Sequence, residues 1–184
     1  MGGVKAMLAV LDTRSFVSAW YWLLLAGMWS WMGRGALGVP VDLVRAVRRD
    51  GSDVAAQTAL LDWIALVAPR WRVAPREGAV LVGAGCFALS ALAALGFGYD
   101  RQFAQALFLL LAPLAVLGVL RVRLAARLGR LLLGSGPGPS RGAAPVAALA
   151  IARHLRVTAA MSVVSVAATA IWATRSLALH PNGL

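Results

Sequence analysis

The stretch from Ala79 to Tyr99, AVLVGAGCFALSALAALGFGY, contains no charged side chain. A helix needs about 20 residues to cross the hydrocarbon core of a bilayer, because each residue advances it by about 1.5 Å. The next run, Phe103 to Leu120, is FAQALFLLLAPLAVLGVL and is also uncharged. The two runs therefore predict a pair of membrane-spanning helices joined by a tight turn around Asp100 and Arg101.

Two further apolar runs lie nearer the ends of the chain. The first extends from Phe16 to about Leu37 and contains FVSAWYWLLLAGMWSWM, and the last extends from Val157 to Thr174, VTAAMSVVSVAATAIWAT. Hydrophobic residues make up 60% of the 184 residues and charged residues only 14%, with a mean hydropathy of +0.77. Soluble domains carry about 25% charged residues. We therefore expect an all-α integral membrane protein, a single domain over residues 1–184, with four transmembrane helices.

The distribution of basic residues predicts how these helices are oriented. The net charge is +11, and the basic residues are arginines except for Lys5. Seven arginines lie from Arg34 to Arg76 and seven from Arg121 to Arg156, whereas only four basic residues lie elsewhere. Connections rich in Lys and Arg stay in the cytoplasm. We therefore expect a bacterial inner-membrane protein with both long connections in the cytoplasm and both termini in the periplasm.

Amphipathic segments in the long connections predict interfacial helices on the cytoplasmic face of the membrane. Residues 40–49, PVDLVRAVRR, begin with a proline suited to a helix start. Residues 53–68 are too short to span, and residues 121–133 extend the third span as a basic helix before a flexible linker, GSGPGPSRG, at 134–142. The apolar face of residues 53–68 consists of Val54, Leu60, Leu61, Ile64 and Val67 around Trp63.

The arginines around these segments are the candidate contacts with anionic lipid headgroups. Membrane lipids are the expected partners of this charge, and no nucleic acid is expected, because the arginines lie between apolar runs rather than in a soluble domain. The candidate lipid contacts are Arg45, Arg48, Arg49, Arg123, Arg127, Arg130, Arg153 and Arg156.

Residues that could carry chemistry are scarce in the predicted spans. All seven acidic residues lie outside them, although coupled transport normally uses a carboxylate within the membrane. The single cysteine, Cys86, excludes an internal disulfide and every multi-cysteine metal pattern. His154 and His180 would be roughly 39 Å apart along one helix, too far to share a haem. We therefore expect no catalytic site, no metal and no evident cofactor, and a bound lipid or quinone is left open.

Aromatic side chains cluster in the first predicted span, which holds Trp20, Tyr21, Trp22, Trp29 and Trp31. Trp22 and Trp29 are seven residues apart and share a helix face. Tryptophan and tyrosine prefer the two boundaries of a membrane, so the cluster is expected to anchor the helix there. The alternative is a docking face for a ring-bearing ligand, such as a quinone or a pigment, or for a helix of another subunit.

The last span carries a stripe of small and hydroxyl-bearing residues that predicts close helix packing. The stripe consists of Thr158, Ser162, Ser165, Thr169 and Ala173, and a second, shorter one consists of Ser90, Ala94 and Gly98. Two alternatives remain for both stripes. They pack against other helices of the same chain, or they form a surface for partner subunits.

The run RSFVSAWYWLLLAGMWS, Arg14 to Ser30, and the following LGVPVDLVRAVRR, Leu37 to Arg49, resemble an alphaproteobacterial membrane family. Its members occur mainly in Rhodobacter-like bacteria and are often labelled as a component of a SufBCD complex. The resemblance implies a cytoplasmic membrane rich in respiratory and photosynthetic complexes, and the label implies iron–sulfur cluster assembly. The chain itself has one cysteine and no set of cluster ligands.

The function that these features favour is a non-catalytic accessory, scaffolding or assembly subunit of a larger membrane complex. Other membrane protein subunits are then expected as partners, through the tryptophan-rich and small-residue faces. Two alternatives from other classes are a small carrier or channel, which would need a polar cavity between the spans, and a quinone- or pigment-binding protein, which would carry a bound chromophore.

Overall fold

The computed structural model describes residues 19–133 and 142–179, without the side chains of Leu177 and Leu179. The start of the first predicted span, the linker up to Arg141, and Lys5, Arg14 and His180 lie outside the described residues. No β-strand occurs in these two described ranges, apart from one isolated bridge between Ala36 and Val39. The α-helices are α1 (Ala19–Gly33), α2 (Val41–Arg49), α3 (Val54–Val67), α4 (Pro75–Ala93), α5 (Gln102–Leu133) and α6 (Ala143–Leu179). A 3₁₀ turn, Ala68–Trp71, follows α3, and a π-helical stretch, Ala94–Gly98, continues α4.

Within the described residues, three helical segments are long and apolar enough to cross a membrane: Pro75–Gly98, Gln102–Leu133 and Ala143–Ser176. They cover the third and fourth predicted spans and all of the second except Tyr99, so the all-helical prediction is confirmed, and three of the four predicted spans lie in helices that are long and apolar enough to cross a membrane. Each of the last two spans is part of a longer helix. The basic residues 121–133 continue α5 without a break, and α6 begins well before the predicted Val157.

Helix α1 differs from the first predicted span at its carboxyl end. Its described part has 15 residues and ends at Gly33 rather than near Leu37. The chain turns directly afterwards, where the Val39 backbone N–H donates to the Ala36 carbonyl over 3.0 Å. Leu37 and Gly38 occupy the centre of this turn with φ angles of 60° and 87°. Two positive φ angles are characteristic of a type I′ turn, which a helix cannot continue through.

The chain divides into two compact units. The apolar unit comprises Met1–Trp29, Arg76–Ala115 and Met161–Leu184, as far as these ranges are described. The arginine-rich unit comprises the described residues of Ser30–Pro75 and Val116–Ala160.

The arginine-rich unit has a hydrophobic core of its own. Helices α2 and α3 contribute Val44, Leu60 and Ile64 to it, and the adjoining halves of α5 and α6 contribute Leu128 and Ile151. These five side chains are at most 2% exposed. Burial of each such side chain stabilises the fold by about 1.5–3 kcal/mol.

This core changes the interpretation of the amphipathic segments. They do form helices at the predicted places, but the apolar face of residues 53–68 packs into protein. Leu60, Leu61, Ile64 and Val67 are buried there. Val54 does not share this environment, because it is 58% exposed. The burial removes most of the apolar surface from which we predicted contact with the membrane interface.

The start of α3 follows from local hydrogen bonding. Asp53 caps the helix, since its carboxylate accepts from the Ala56 backbone N–H over 3.0 Å. Asp50 accepts from the backbone N–H of Ser52 over 2.9 Å, which closes the preceding turn. The Ser52 hydroxyl, which also donates to this carboxylate, lowers the pKa of the Asp50 carboxyl most, and the backbone N–H of Ser52 lowers it further. Short polar side chains at these positions hydrogen-bond to the nearby backbone in place of the hydrogen bonds of a helix, and so determine where the helix begins.

The apolar unit buries little of its surface on itself. The most apolar window of Pro75–Gly98 has a mean hydropathy of 2.2, yet only 6% of its residues are buried. Val80 and Phe87 are 69% and 77% exposed. Lipid, or another apolar surface, must cover such side chains.

Candidate functional site

The predicted turn between the second and third spans is stabilised by one buried amide, Gln105. Its side chain is 2% exposed and makes three hydrogen bonds. Nε2 donates to the Gly96 carbonyl over 2.8 Å and to Asp100 Oδ1 over 2.9 Å, and Oε1 accepts from Trp172 Nε1 over 2.9 Å. A buried amide with its partners satisfied orders its surroundings, whereas an unsatisfied one would be costly.

Gly96 is required at this place because the backbone of α5 approaches it closely. A Cβ atom on Gly96 would lie 2.8 Å from the Gln105 backbone nitrogen. Gly96 lies in the π-helical stretch, where wider hydrogen-bond spacing leaves carbonyls available to other donors. One of these carbonyls is the acceptor for Gln105.

Aromatic rings and further hydrogen bonds surround this amide within the apolar unit. Phe97 lies edge-on to Trp172, with ring centroids 5.1 Å apart, and to Phe108, at 5.6 Å. Tyr21 donates from its hydroxyl to the Ala106 carbonyl over 3.3 Å, which connects α1 to α5. The polar groups of this cluster bind one another, so its evident role is to hold the helices together.

A second polar cluster, in the arginine-rich unit, centres on Arg121. Its Nη2 donates to the Met32 carbonyl over 3.2 Å, and its guanidinium carbon lies 6.0 Å from the centre of the Trp71 ring. Arg121 is partly exposed, but its Nε is buried and has no hydrogen-bond partner among the described residues. It also forms no salt bridge within residues 19–133 and 142–179.

His154, in α6, belongs to the same unit as Arg121. The residue is 7% exposed, and its Nε2 is buried without a hydrogen-bond partner in the described part of the chain. The Thr158 hydroxyl donates to the His154 carbonyl over 3.0 Å, one turn along α6. Arg121 and His154 thus present two buried nitrogen atoms that the described protein groups leave unpaired.

All eight arginines predicted to contact lipid belong to the arginine-rich unit and are exposed. One of them, Arg45, forms an ion pair over 3.7 Å with Asp42, one turn earlier in α2. Exposed pairs of this kind contribute at most about 1 kcal/mol. The eight exposed residues are Arg45, Arg48, Arg49, Arg123, Arg127, Arg130, Arg153 and Arg156.

The four tryptophans of the predicted face differ in how exposed they are. Trp20 and Trp31 are 79% and 72% exposed, whereas Trp29 is buried and Trp22 is half-buried beside Tyr21. Trp22 and Trp29, which share a helix face, are therefore less accessible than the other two. Anchoring in the membrane boundary fits the exposed rings, and docking of a ring-bearing ligand stays a prediction.

The two predicted stripes differ in their exposure. In α6, Ser162 is half-buried and the other members of the stripe are buried, which favours packing within the chain. Ser90, Ala94 and Gly98 are all exposed, so the shorter stripe is available to other molecules. The buried members of the longer stripe are Thr158, Ser165, Thr169 and Ala173.

Sequence reasoning missed Gln105, Gly96, Trp172 and the role of Arg121. Gln105 had a signal, because it is the one amide in the run from Phe103 to Leu120. A polar residue in an apolar span requires a partner. The contacts of Arg121 had no such signal in the sequence, because Met32 and Trp71 are distant from it along the chain.

Comparisons with protein-family models, with curated proteins and with solved structures found no match to this chain. Among the described residues, no group of three or more His, Cys, Asp or Glu side chains could hold a metal ion. The resemblance of the first 50 residues to the alphaproteobacterial family stays a prediction, and functional inference rests on the residues themselves.

Proposed function

We propose that the chain is a non-catalytic accessory, scaffolding or assembly subunit of a larger complex in a bacterial inner membrane, of the respiratory or photosynthetic kind. The observation that supports this most is the exposure of Pro75–Gly98. Its most apolar window is only 6% buried, so the chain itself leaves this helix almost uncovered. A helix of a partner subunit is the proposed cover for part of it.

The exposed stripe Ser90, Ala94 and Gly98 supports contact with a helix rather than with lipid alone. Small residues four apart let two helix backbones approach closely, and packing of this kind drives helix association in membranes. A Cβ added to Gly98 would meet no atom within 4 Å. The chain therefore leaves open the space that a second backbone would use.

The proposal includes four spans, with α1 as part of the first. Both long basic connections, which belong largely to the arginine-rich unit, then lie in the cytoplasm and both termini in the periplasm. The exposed arginines of this unit would contact anionic headgroups and set the depth and orientation of the protein. In this proposal the exposed small-residue stripe contacts partners within the membrane, and the exposed arginines contact lipid headgroups.

The test is purification of the tagged protein from its native membrane in a mild detergent, with mass spectrometry and an absorption spectrum. We expect a respiratory or photosynthetic complex to co-purify in a fixed ratio. Ser90→Leu, in the stripe, should lower the yield of the partner about tenfold, equivalent to about 1.4 kcal/mol. Ala88→Leu is the matched control, because Ala88 is also exposed but lies about 200° away around the helix.

A lone, colourless protein would contradict the proposal and favour a carrier or a channel. Equal partner yields from Ser90→Leu and Ala88→Leu would leave the complex intact but contradict the role of the stripe. A chromophore bound to the isolated chain would favour the quinone- or pigment-binding alternative.

A further inference from the structure

Helix α3 carries apolar residues on all sides, but the chain covers only one of these sides. The covered side contributes Leu60 and Ile64 to the core of the arginine-rich unit. On the other side, Val54 and Leu66 are each 58% exposed. The single charged residue of α3, Asp62, is exposed on this side as well. A helix that is apolar all round is normally buried all round, so the exposed side of α3 needs a cover.

Asp62 differs from the other aspartates of the arginine-rich unit because it has no partner. The described part of this unit contains twelve arginines and four aspartates. Three of the aspartates have a partner within the unit: Asp42, Asp50 and Asp53. No hydrogen bond or ion pair joins the Asp62 carboxylate to another described residue. The exposed side of α3 therefore presents a negative charge that is available to a cation from outside the chain.

The first turns of α6 carry an exposed stripe of the opposite charge. Val146 and Leu149 are 42% and 56% exposed. Arg153 and Arg156 follow them in the helix and are exposed too. At 3.6 residues per turn, the four positions lie within about 80° of one another around the helix axis. They form one face, which we call the α6 stripe, and it combines apolar side chains with arginines.

The apolar end of the α6 stripe lies too far from the predicted span for lipid to cover it. The span begins at Val157, so Leu149 and Val146 precede it by about 12 and 16 Å along the helix axis. The headgroup region adds only about 5–8 Å on each side of the hydrocarbon core. The two side chains would therefore face water unless protein covers them.

We propose that the exposed side of α3 packs antiparallel against the α6 stripe of a second copy of this chain. On α3, Asp62 precedes Leu66 by one turn. On α6, Arg153 follows Leu149 by one turn. Antiparallel packing therefore places Asp62 opposite Arg153 and the two leucines opposite each other. The chain thus carries both halves of an interface that is complementary in charge and in apolar surface.

The charge of α3 favours a second copy over a lipid surface as the cover. Anionic headgroups would repel the Asp62 carboxylate, whereas an arginine of a second copy attracts it. Two copies related by a two-fold axis would form the contact twice. The pair takes Arg153 from the predicted lipid contacts and leaves the other exposed arginines to the headgroups. The proposal goes beyond the proposed function, because it concerns copies of this chain rather than other subunits.

The first test is disulfide crosslinking between two differently tagged copies, co-expressed and oxidised in isolated membranes. Cys86 is the only cysteine and is replaced by alanine in both copies. We expect a crosslinked dimer from Leu66→Cys in one copy and Leu149→Cys in the other. The matched control combines Val54→Cys with Leu149→Cys, because Val54 is equally exposed but lies about 18 Å from Leu66 along α3. The control should give far less dimer.

The second test exchanges the two charges in the full chain, purified in mild detergent, and measures the dimer by native mass spectrometry. Asp62→Arg and Arg153→Asp should each weaken the dimer about tenfold. The two together keep the net charge of the wild type and should restore the dimer. Arg130→Asp removes an exposed arginine elsewhere in the unit and should weaken the dimer less than about twofold. Because these side chains are exposed in the single chain, the unfolding temperature of the monomer should stay unchanged.

Three results would overturn the proposal. The first is a wild-type chain that is monomeric in both experiments. The second is equal crosslinking from Leu66→Cys and Val54→Cys, and the third is a double exchange that fails to restore the dimer. Crosslinks from Leu66→Cys to other proteins alone would also contradict it and would assign the exposed side of α3 to a partner subunit. Because a second copy is the only partner that these experiments require, their failure is distinct from failure of the subunit proposal.

Discussion

At the scale of single residues, Gln105 and Gly96 determine the geometry of the turn between α4 and α5. Gln105 connects the Gly96 carbonyl, the Asp100 carboxylate and the Trp172 indole. Asp100 itself has a φ of 53°, a left-handed conformation that aspartate tolerates better than most residues. The sequence predicts this turn from its position between two apolar runs. It does not predict the network, because the partners come from segments up to 67 residues apart.

Gly96→Ala should destabilise the protein by about 1–3 kcal/mol, because the new methyl group would overlap the backbone of Gln105. The measurement is thermal unfolding in detergent. Gly83→Ala is the matched control, since a Cβ there meets nothing within 4 Å. Alanine also favours helix over glycine, so the control should be neutral or stabilising. Equal unfolding temperatures for the two variants would contradict the close approach.

Gln105→Leu should also destabilise, by about 1–2 kcal/mol, because it leaves Trp172 Nε1 without its acceptor. The indole is a spectroscopic reporter of this loss, so we expect a change in tryptophan fluorescence together with a lower unfolding temperature. Leu107→Ala, at a half-buried neighbouring position without this network, should leave the indole signal unchanged. An unchanged signal in Gln105→Leu would show that the hydrogen bond is not formed.

At the scale of helices, the amphipathic segments show what the periodicity of the sequence can predict and what it cannot. It predicts α2 and α3 to within a residue or two, because the helix starts are encoded by Pro40 and Asp53. It does not say what covers the apolar face. A membrane interface and a protein core both favour the same pattern, and α3 packs Leu60 and Ile64 into a core. Only the tertiary contacts of α5 and α6 distinguish the two environments.

Asp53→Ala should destabilise the arginine-rich unit by about 1 kcal/mol, since it removes the acceptor for the Ala56 backbone N–H. Chemical denaturation followed by circular dichroism measures the change. Asp62→Ala removes the same charge from the exposed side of the same helix, and it should have an effect within about 0.5 kcal/mol. If both variants lose stability equally, charge rather than capping explains the effect.

At the scale of the whole molecule, the two units bury their apolar residues in different ways. Leu128 is 1% exposed in the arginine-rich unit, whereas Phe87 of the apolar unit is 77% exposed. Hydropathy identifies the apolar runs from the sequence. It does not reveal that the basic connections form a packed core, because their alanines and leucines are spread over four helices.

Leu128→Ala should destabilise the arginine-rich unit by about 2–5 kcal/mol, because it creates a cavity in a closed core. Leu66→Ala, at a side chain 58% exposed, is the matched control and should change stability by less than about 0.5 kcal/mol. Both are measured by denaturation of the full chain. A small effect of Leu128→Ala would show that this core is loosely packed or lipid-filled.

The most direct test of the account is photo-crosslinking from the uncovered helix in the native membrane. A photoreactive amino acid is placed at Phe87, which is exposed on α4, and a second at Leu60, which is 0% exposed in the arginine-rich core. We expect one discrete product with a partner subunit from position 87, and only products within the chain from position 60. Lipid adducts alone from position 87 would contradict the claim that the chain is a subunit of a larger complex contacted through this helix.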